Sequence, residues 1–274
     1  EPWPWSQQSH VAAPHHQHLL KVCRTWSARS CAAPAHRRHH RVAADDRGRL
    51  PVRSQLDWCP RLQHAAARRL REATRNKFYL IKDYKSKILL DEANLFSYWY
   101  VPKNLNKKKI NIFNSKFNKE IKLVLSKLNF KNDTFVHRDF HVSNLIINSK
   151  NQIGLIDNQD ALIGNKAYDL ASLIDDVRYK TPNSLKDKVY NYYLNTNKKI
   201  DVNKFKNDFD ILSVLRNLKI IGIFMRLAER DKKRKYLKLI PYAWNMIDNR
   251  MNKNKDLINL KLLLATHFPK FITK

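Results

Sequence analysis

From residue 76 onward the sequence predicts an α+β fold, mostly helical with one small β-hairpin, and three observations carry that prediction. Apolar residues recur at helical spacing in several separate segments, the mark of helices that bury one face. Two short apolar runs, Leu145 to Asn148 and Ile153 to Ile156, are separated by SKNQ, a turn-forming break of hairpin length. The third observation is a change of composition. Residues 1–75 hold 13 of the 20 arginines, 8 of the 11 histidines and a single lysine, whereas residues 76–274 hold 32 lysines and 7 arginines. Two parts are therefore expected: residues 1–75 as a disordered or foreign segment, and residues 76–274 as one globular domain. A hydrophobic content of 43% over 274 residues is ample for a core.

In the first part only LQHAAARRLREAT, Leu62 to Thr74, reads as a short helix, and six prolines punctuate the segment. Cys23, Cys31 and Cys59 form no C-x-x-C pair, so neither a zinc site nor a disulfide framework is signalled and a cytoplasmic setting is expected. The histidines, among them His15, His16, His18, His39 and His40, lack metal-ligand spacing. The chain opens EPWPWSQQSH, which reads as a processed chain or a fragment with no signal peptide.

In the second part Ile88 to Val101 reads as an amphipathic helix ending before Pro102, because a residue preceding proline disfavours the helical conformation. Ser115 to Leu128 reads as the next helix, and the hairpin follows. After it only helices are expected: Lys166 to Arg178, Ser184 to Leu194, Phe205 to Arg230, Lys235 to Arg250 and Leu257 to Thr266. Ile220, Ile221, Ile223, Phe224 and Leu227 are assigned to the core, while Arg226 and Arg230 are alternatives for facing an acidic substrate. The long apolar stretch from Ile220 follows Lys219 and contains Arg226, so no membrane span is expected. A formal net charge of +29 suggests nucleic acid or an anionic surface, but the excess is spread along the chain without interleaved aromatics, and nucleic acid is not the expected partner.

FVHRDFHVSNLIINSKNQIGLID, residues 135–157, carries the chemistry. Asp139 precedes Asn144 by five residues, and the hairpin then delivers Asp157 at the end of its second strand, matching the phosphotransferase pattern H-R-D-x-x-x-x-N followed by an acid. Phosphoryl transfer needs a carboxylate within reach of the attacking hydroxyl, a role open to Asp139 at a loop tip. It also needs Mg²⁺ held by hard oxygen ligands, which Asn144 and Asp157 can supply. His137 is read as a brace for the loop, and Arg138 as the partner of a nearby carboxylate.

With a second histidine, His141, in HRDFHVSNLI, the stretch resembles the aminoglycoside phosphotransferase and choline kinase group of small-molecule kinases. Within that group GLIDNQDALIGNKAYDLASLIDDVR, YKSKILLDEANLFSYWYVPKNL and LKIIGIFMRLAERDKKRKYLKLIP resemble the bacterial anomeric kinases of N-acetylmuramate and N-acetylglucosamine that serve cell-wall recycling, from about residue 80 to the end. The resemblance implies a protein-kinase-like C-terminal lobe that uses ATP and Mg²⁺ on the anomeric hydroxyl of an amino sugar. It makes Asp139 the catalytic base and Asn144 and Asp157 the magnesium and nucleotide ligands. Gln159 and Asp160 would shape the metal or sugar site, and Asp169 at a helix start would hold the loop. Asn158 stands where the family usually has an aromatic residue.

A kinase-like enzyme also builds an N-terminal lobe whose glycine-rich turn and strand lysine grip the phosphates. Gly48 is the single glycine before residue 154, and Lys21 with Glu72 as its partner is the faintest of candidates for the lysine pair. The N-terminal lobe is therefore expected to be missing or replaced, with weak ATP binding and poor turnover. The alternatives are an aminoglycoside or amino-alcohol phosphotransferase, and an inactive basic binding protein in which the motif is a relic.

Overall fold

The computed structural model describes residues 69–72, 77–147 and 153–272. Cys23, Cys31, Cys59, Lys21, the N-terminal histidines and the hairpin turn lie outside the described residues, as does most of the expected helix Leu62 to Thr74. Where that helix enters the described residues it is corrected to a strand. Arg69–Glu72 (β1) pairs antiparallel with Lys77–Leu80 (β2), Arg69 opposite Leu80, so the ladder spans the compositional break. Cross-strand pairing has overridden the helical preference of so short a run.

The helical body begins with α1, Ser86–Leu95, which runs without a break into a π-helical turn, Phe96–Tyr100, and then α2, Val101–Asn104. The helix does not end before Pro102. The Val101 N–H donates to the Phe96 carbonyl, five residues back, and this widened turn makes room for a proline ring that would clash with the carbonyl four residues back in a regular helix. Next comes α3, Lys107–Leu125, capped by the Asn106 side chain, which accepts from Lys109 N at 3.1 Å. Phe113, Phe117 and Ile121 recur at four-residue spacing on its buried face.

Two strand pairs frame the middle of the chain. Thr134–Val136 (β3) leads through a loop and a 3₁₀ turn, Val142–Asn144, into Leu145–Ile147 (β4), which pairs antiparallel with Ile153–Leu155 (β5). The hairpin read from the sequence is thus present. Leu162–Gly164 (β6) then returns to pair antiparallel with β3, and Ile163 also bonds the backbone of Lys82 and Tyr84. This corrects the expectation of helices alone after the hairpin. Three residues are too few to show a period, which is why the strand is silent in the sequence.

The remaining helices are α4 (Tyr168–Ile174), α5 (Asn183–Thr196), α6 (Val202–Glu229), α7 (Ile240–Met251, after a 3₁₀ turn at Arg234–Leu239) and α8 (Ile258–His267, after one at Lys255–Leu257). Of these, α6 is the axis. Its middle, residues 208–222, is buried nearly all round, and α1, α4, α7 and the π turn pack on it, the pattern of a helix enclosed by others. Phe96, Phe113, Phe117, Trp244 and Phe268 interlock edge to face and stacked, with ring centroids 5.4–6.2 Å apart among the contacts Phe96–Phe113, Phe96–Trp244 and Phe113–Phe117. Asp208 on α6 accepts from Asn129 N, Phe130 N and Asn165 Nδ2 at 2.6–2.9 Å, which fixes the segments entering β3 and leaving β6. Among the described residues no helix is long and apolar enough to cross a membrane.

Candidate active site

The loop between β3 and the 3₁₀ turn is held from below by one carboxylate. Asp169, in the first turn of α4, is buried, and its two oxygens accept from the backbone N–H groups of His137 at 2.7 Å and Arg138 at 3.1 Å. Burial pushes the Asp169 carboxyl up to about 7, against the pull of those two donors. His137 is fully buried, and its Nε2 donates to the Ile156 carbonyl at 3.0 Å, tying the loop to the residue before Asp157. Burial holds His137 below its ordinary value, so the ring is neutral near pH 7.

Above this brace sits Asp139. Its carbonyl accepts from His141 N at 3.0 Å and from Asn144 Nδ2 at 2.9 Å, so the loop folds back on itself beneath the side chain. Burial raises the Asp139 carboxyl, but Lys219 above all, with Arg216 and Arg178, outweighs burial and holds it below the usual carboxylate range. It is therefore ionised at neutral pH and able to take a proton. Burial, then the nearby Arg178 charge, brings His141 down to about 3, which leaves it neutral and unfit as an acid at physiological pH.

Asn144 and Asp157 come together through the hairpin. One step beyond the β4–β5 register, Ile156 N donates to the Asn144 carbonyl at 3.1 Å, and Asp157 is the next residue. The Asn144 amide nitrogen is engaged with the loop, which turns the amide oxygen into the branch suited to a cation, and Asp157 contributes a carboxylate. One neutral and one anionic oxygen are the hard donors that Mg²⁺ takes, so the pair is of a kind that would suit such an ion. Asp157 has φ 68° and Arg138 φ 73°, left-handed values that non-glycine residues adopt at a cost and that concentrate where a side chain must be aimed. Gln159 Nε2 donates to Asp157 Oδ1 at 3.0 Å, and the Asp160 carbonyl accepts from Arg138 NH1 at 3.1 Å while its side chain is exposed. All nine residues singled out in the sequence thus lie on one loop, one hairpin end and the first turn of α4.

The sequence reading missed the other wall. Glu92 on α1 binds Arg138 NH2 in a short ion pair, Lys219 Nζ at 3.0 Å and the Tyr84 hydroxyl at 2.5 Å. Lys219 and Arg216 come from α6, and Arg178 follows α4. Two of these were readable. Glu92 lies at the spacing of Leu89, Ala93 and Phe96, the buried stripe of α1, and Arg216 stands between Leu215 and Leu218 in the buried stretch of α6. A charge in such a place needs a partner. Arg230, by contrast, is exposed and pairs with Asp231 at 2.6 Å.

Residues 92–201 match the phosphotransferase enzyme family. The chain is 32% identical over 194 residues to the N-acetylmuramate/N-acetylglucosamine kinase of Neisseria meningitidis, a match covering 68% of this chain and 57% of the relative. It is 30% identical over 189 residues to the kinase of the same name from Pseudomonas aeruginosa, covering 67% and 56% respectively. The match therefore spans little more than half the length of these relatives. Both comparisons point to the group that the HRDFHVSN loop and its hairpin resemble, and over residues 92–201 this chain is similar to the phosphotransferase enzyme family.

Proposed function

We propose that this chain contributes the C-terminal lobe of an ATP-dependent kinase acting on the anomeric hydroxyl of N-acetylmuramate or N-acetylglucosamine, as the names of its relatives indicate for those proteins. The observation that carries the reading is the clamped loop. Asp169 and His137 immobilise the backbone under Asp139, and the same loop engages the amide of Asn144 beside Asp157. In this reading Asp139 accepts the sugar hydroxyl proton as the oxygen attacks the terminal phosphorus of ATP, and ADP leaves. Asn144 and Asp157 would hold Mg²⁺, which when bound neutralises the phosphate charge.

The cations around Asp139 favour this over the aminoglycoside alternative. Lys219, Arg216 and Arg178 present positive charge where a cationic antibiotic would bring more, whereas a sugar carrying a carboxylate is attracted. We retain the proposal that residues 1–75 do not replace a phosphate-gripping lobe, so that the chain by itself turns over slowly.

The test follows ADP formation with each sugar and Mg²⁺, with ³¹P NMR of the product. Slow, sugar-dependent turnover is expected, lost on adding EDTA and reduced about 10²–10⁴-fold in Asp139→Asn. Equal rates in wild type and variant would sink the assignment of Asp139. A rate in the usual kinase range of about 1–100 s⁻¹ would instead overturn the proposal about residues 1–75.

A further inference from the structure

On the far side of α1 lies a second polar hollow that the candidate active site does not use. A groove of about 530 Å³ opens between the α1–π segment and α3. Asn94, which lines it, stands about 200° around α1 from Glu92, so the groove and the active site occupy opposite faces of that helix. We infer that this groove is a saccharide-binding site for a sugar that carries a carboxylate.

Three features support that chemistry. The Ser97 hydroxyl and the side-chain oxygens of Asn114 and Asn118 are all buried in the groove wall without a hydrogen-bond partner among the described residues. Buried polar atoms of native proteins are nearly always satisfied, so unpaired ones gathered in one concavity mark a place where hydroxyl or amide donors are received. Ser97 is itself only 3% exposed, and it sits in the π turn, an irregularity that recurs at functional sites.

Beside these atoms Tyr98 is 66% exposed at the rim, a large ring turned to solvent among the described residues. An aromatic face flanked by amide and hydroxyl groups suits a pyranose, which offers one apolar face and a ring of hydroxyls. Finally, Lys119 and Lys122 line the same groove and form no ion pair among the described residues. Asn114, Asn118 and Lys122 are spaced by four, so α3 presents amides and cation as one stripe. The cations select an acid group over a neutral sugar.

The experiment measures binding of D-glucuronate and of D-glucose to the full chain by calorimetry and saturation-transfer NMR. Glucuronate is expected to bind more tightly than glucose. Asn118→Leu weakens both about tenfold or more, Tyr98→Ala weakens both, and Lys122→Glu weakens glucuronate alone. The last two sites are exposed, so melting temperatures near that of wild type serve as the folding control. Glucuronate binding survives in Asp139→Asn, and sugar-dependent ATP turnover survives in the groove variants, so this site and the proposed kinase activity stand or fall separately. Equal affinity for the two sugars, unchanged glucuronate affinity in all three groove variants, or loss of glucuronate binding in Asp139→Asn would each overturn the inference.

Discussion

Asp169 decides where Asp139 sits, because a carboxyl group, ionised or not, presents two oxygens that can accept from two adjacent backbone donors. Asp169→Asn keeps the shape but offers one oxygen, and sets an NH₂ group against the remaining N–H. The expected loss is about 1–3 kcal/mol of stability at pH 5, read from urea unfolding. The pH dependence has a definite sign. The carboxyl titrates near 3.9 in the unfolded chain and near 7 in the folded one, so its contribution is complete below about pH 4 and is lost as pH rises to about 7. The gap between wild type and variant should therefore narrow from pH 4 to pH 7 and stay flat above. A gap wider at pH 8 than at pH 5 would show that the two donors, not burial, govern this group.

At the scale of elements the tightest joint is between α6 and the end of α1. Gly222 faces the Leu95 and Phe96 backbone so closely that a Cβ would lie 2.3 Å from the Leu95 carbonyl carbon and 2.6 Å from Phe96 N. Backbone cannot swing aside as a side chain can, so Gly222→Ala must part the two helices. A loss of about 3 kcal/mol or more is expected in chemical denaturation, at the upper end for overpacking, despite the better helix propensity of alanine. Because α1 carries Glu92 and α6 carries Lys219, sugar-dependent turnover should fall with it. The same joint explains what was legible. The helices were, since each buries a stripe long enough to repeat, and so were the hairpin and the loop residues, whose spacing is local. The π turn was not, because Pro102 reads identically whether a helix stops or widens before it. Nor was the Glu92–Lys219 wall, whose members are 127 positions apart and meet only when α1 lies on α6.

For the whole molecule the fold rests on one buried charge cluster as well as on its aromatic core. Asp175, fully buried just after α4, receives Lys186 from α5 at 3.1 Å, Ser213 from α6 at 2.6 Å and Arg250 from α7 at 2.8 Å, so one carboxylate joins four helices. Burial works against its charge, but Arg250 and then Lys186 hold its carboxyl below the ordinary value. Such a cluster adds little net stability over an apolar replacement, yet breaking it by halves is expensive, because the remaining charges keep their desolvation cost and lose their partner. Asp175→Asn leaves Arg250 and Lys186 facing a neutral amide, and about 3–5 kcal/mol should be lost at pH 7. Adding Lys186→Met removes one stranded cation, so the double variant should be more stable than the sum of the single changes requires, by about 0.5–3 kcal/mol in a double-mutant cycle. The acid limb gives an independent reading. A carboxyl depressed in the folded state contributes stability above its unfolded value, near 3.9, and loses it as pH falls through the folded one. The wild type should therefore approach the Asp175→Asn variant in stability only below about pH 4. Strict additivity in the cycle would mean that Lys186 and Asp175 act as independent surface charges, and that the four helices are joined by apolar packing alone.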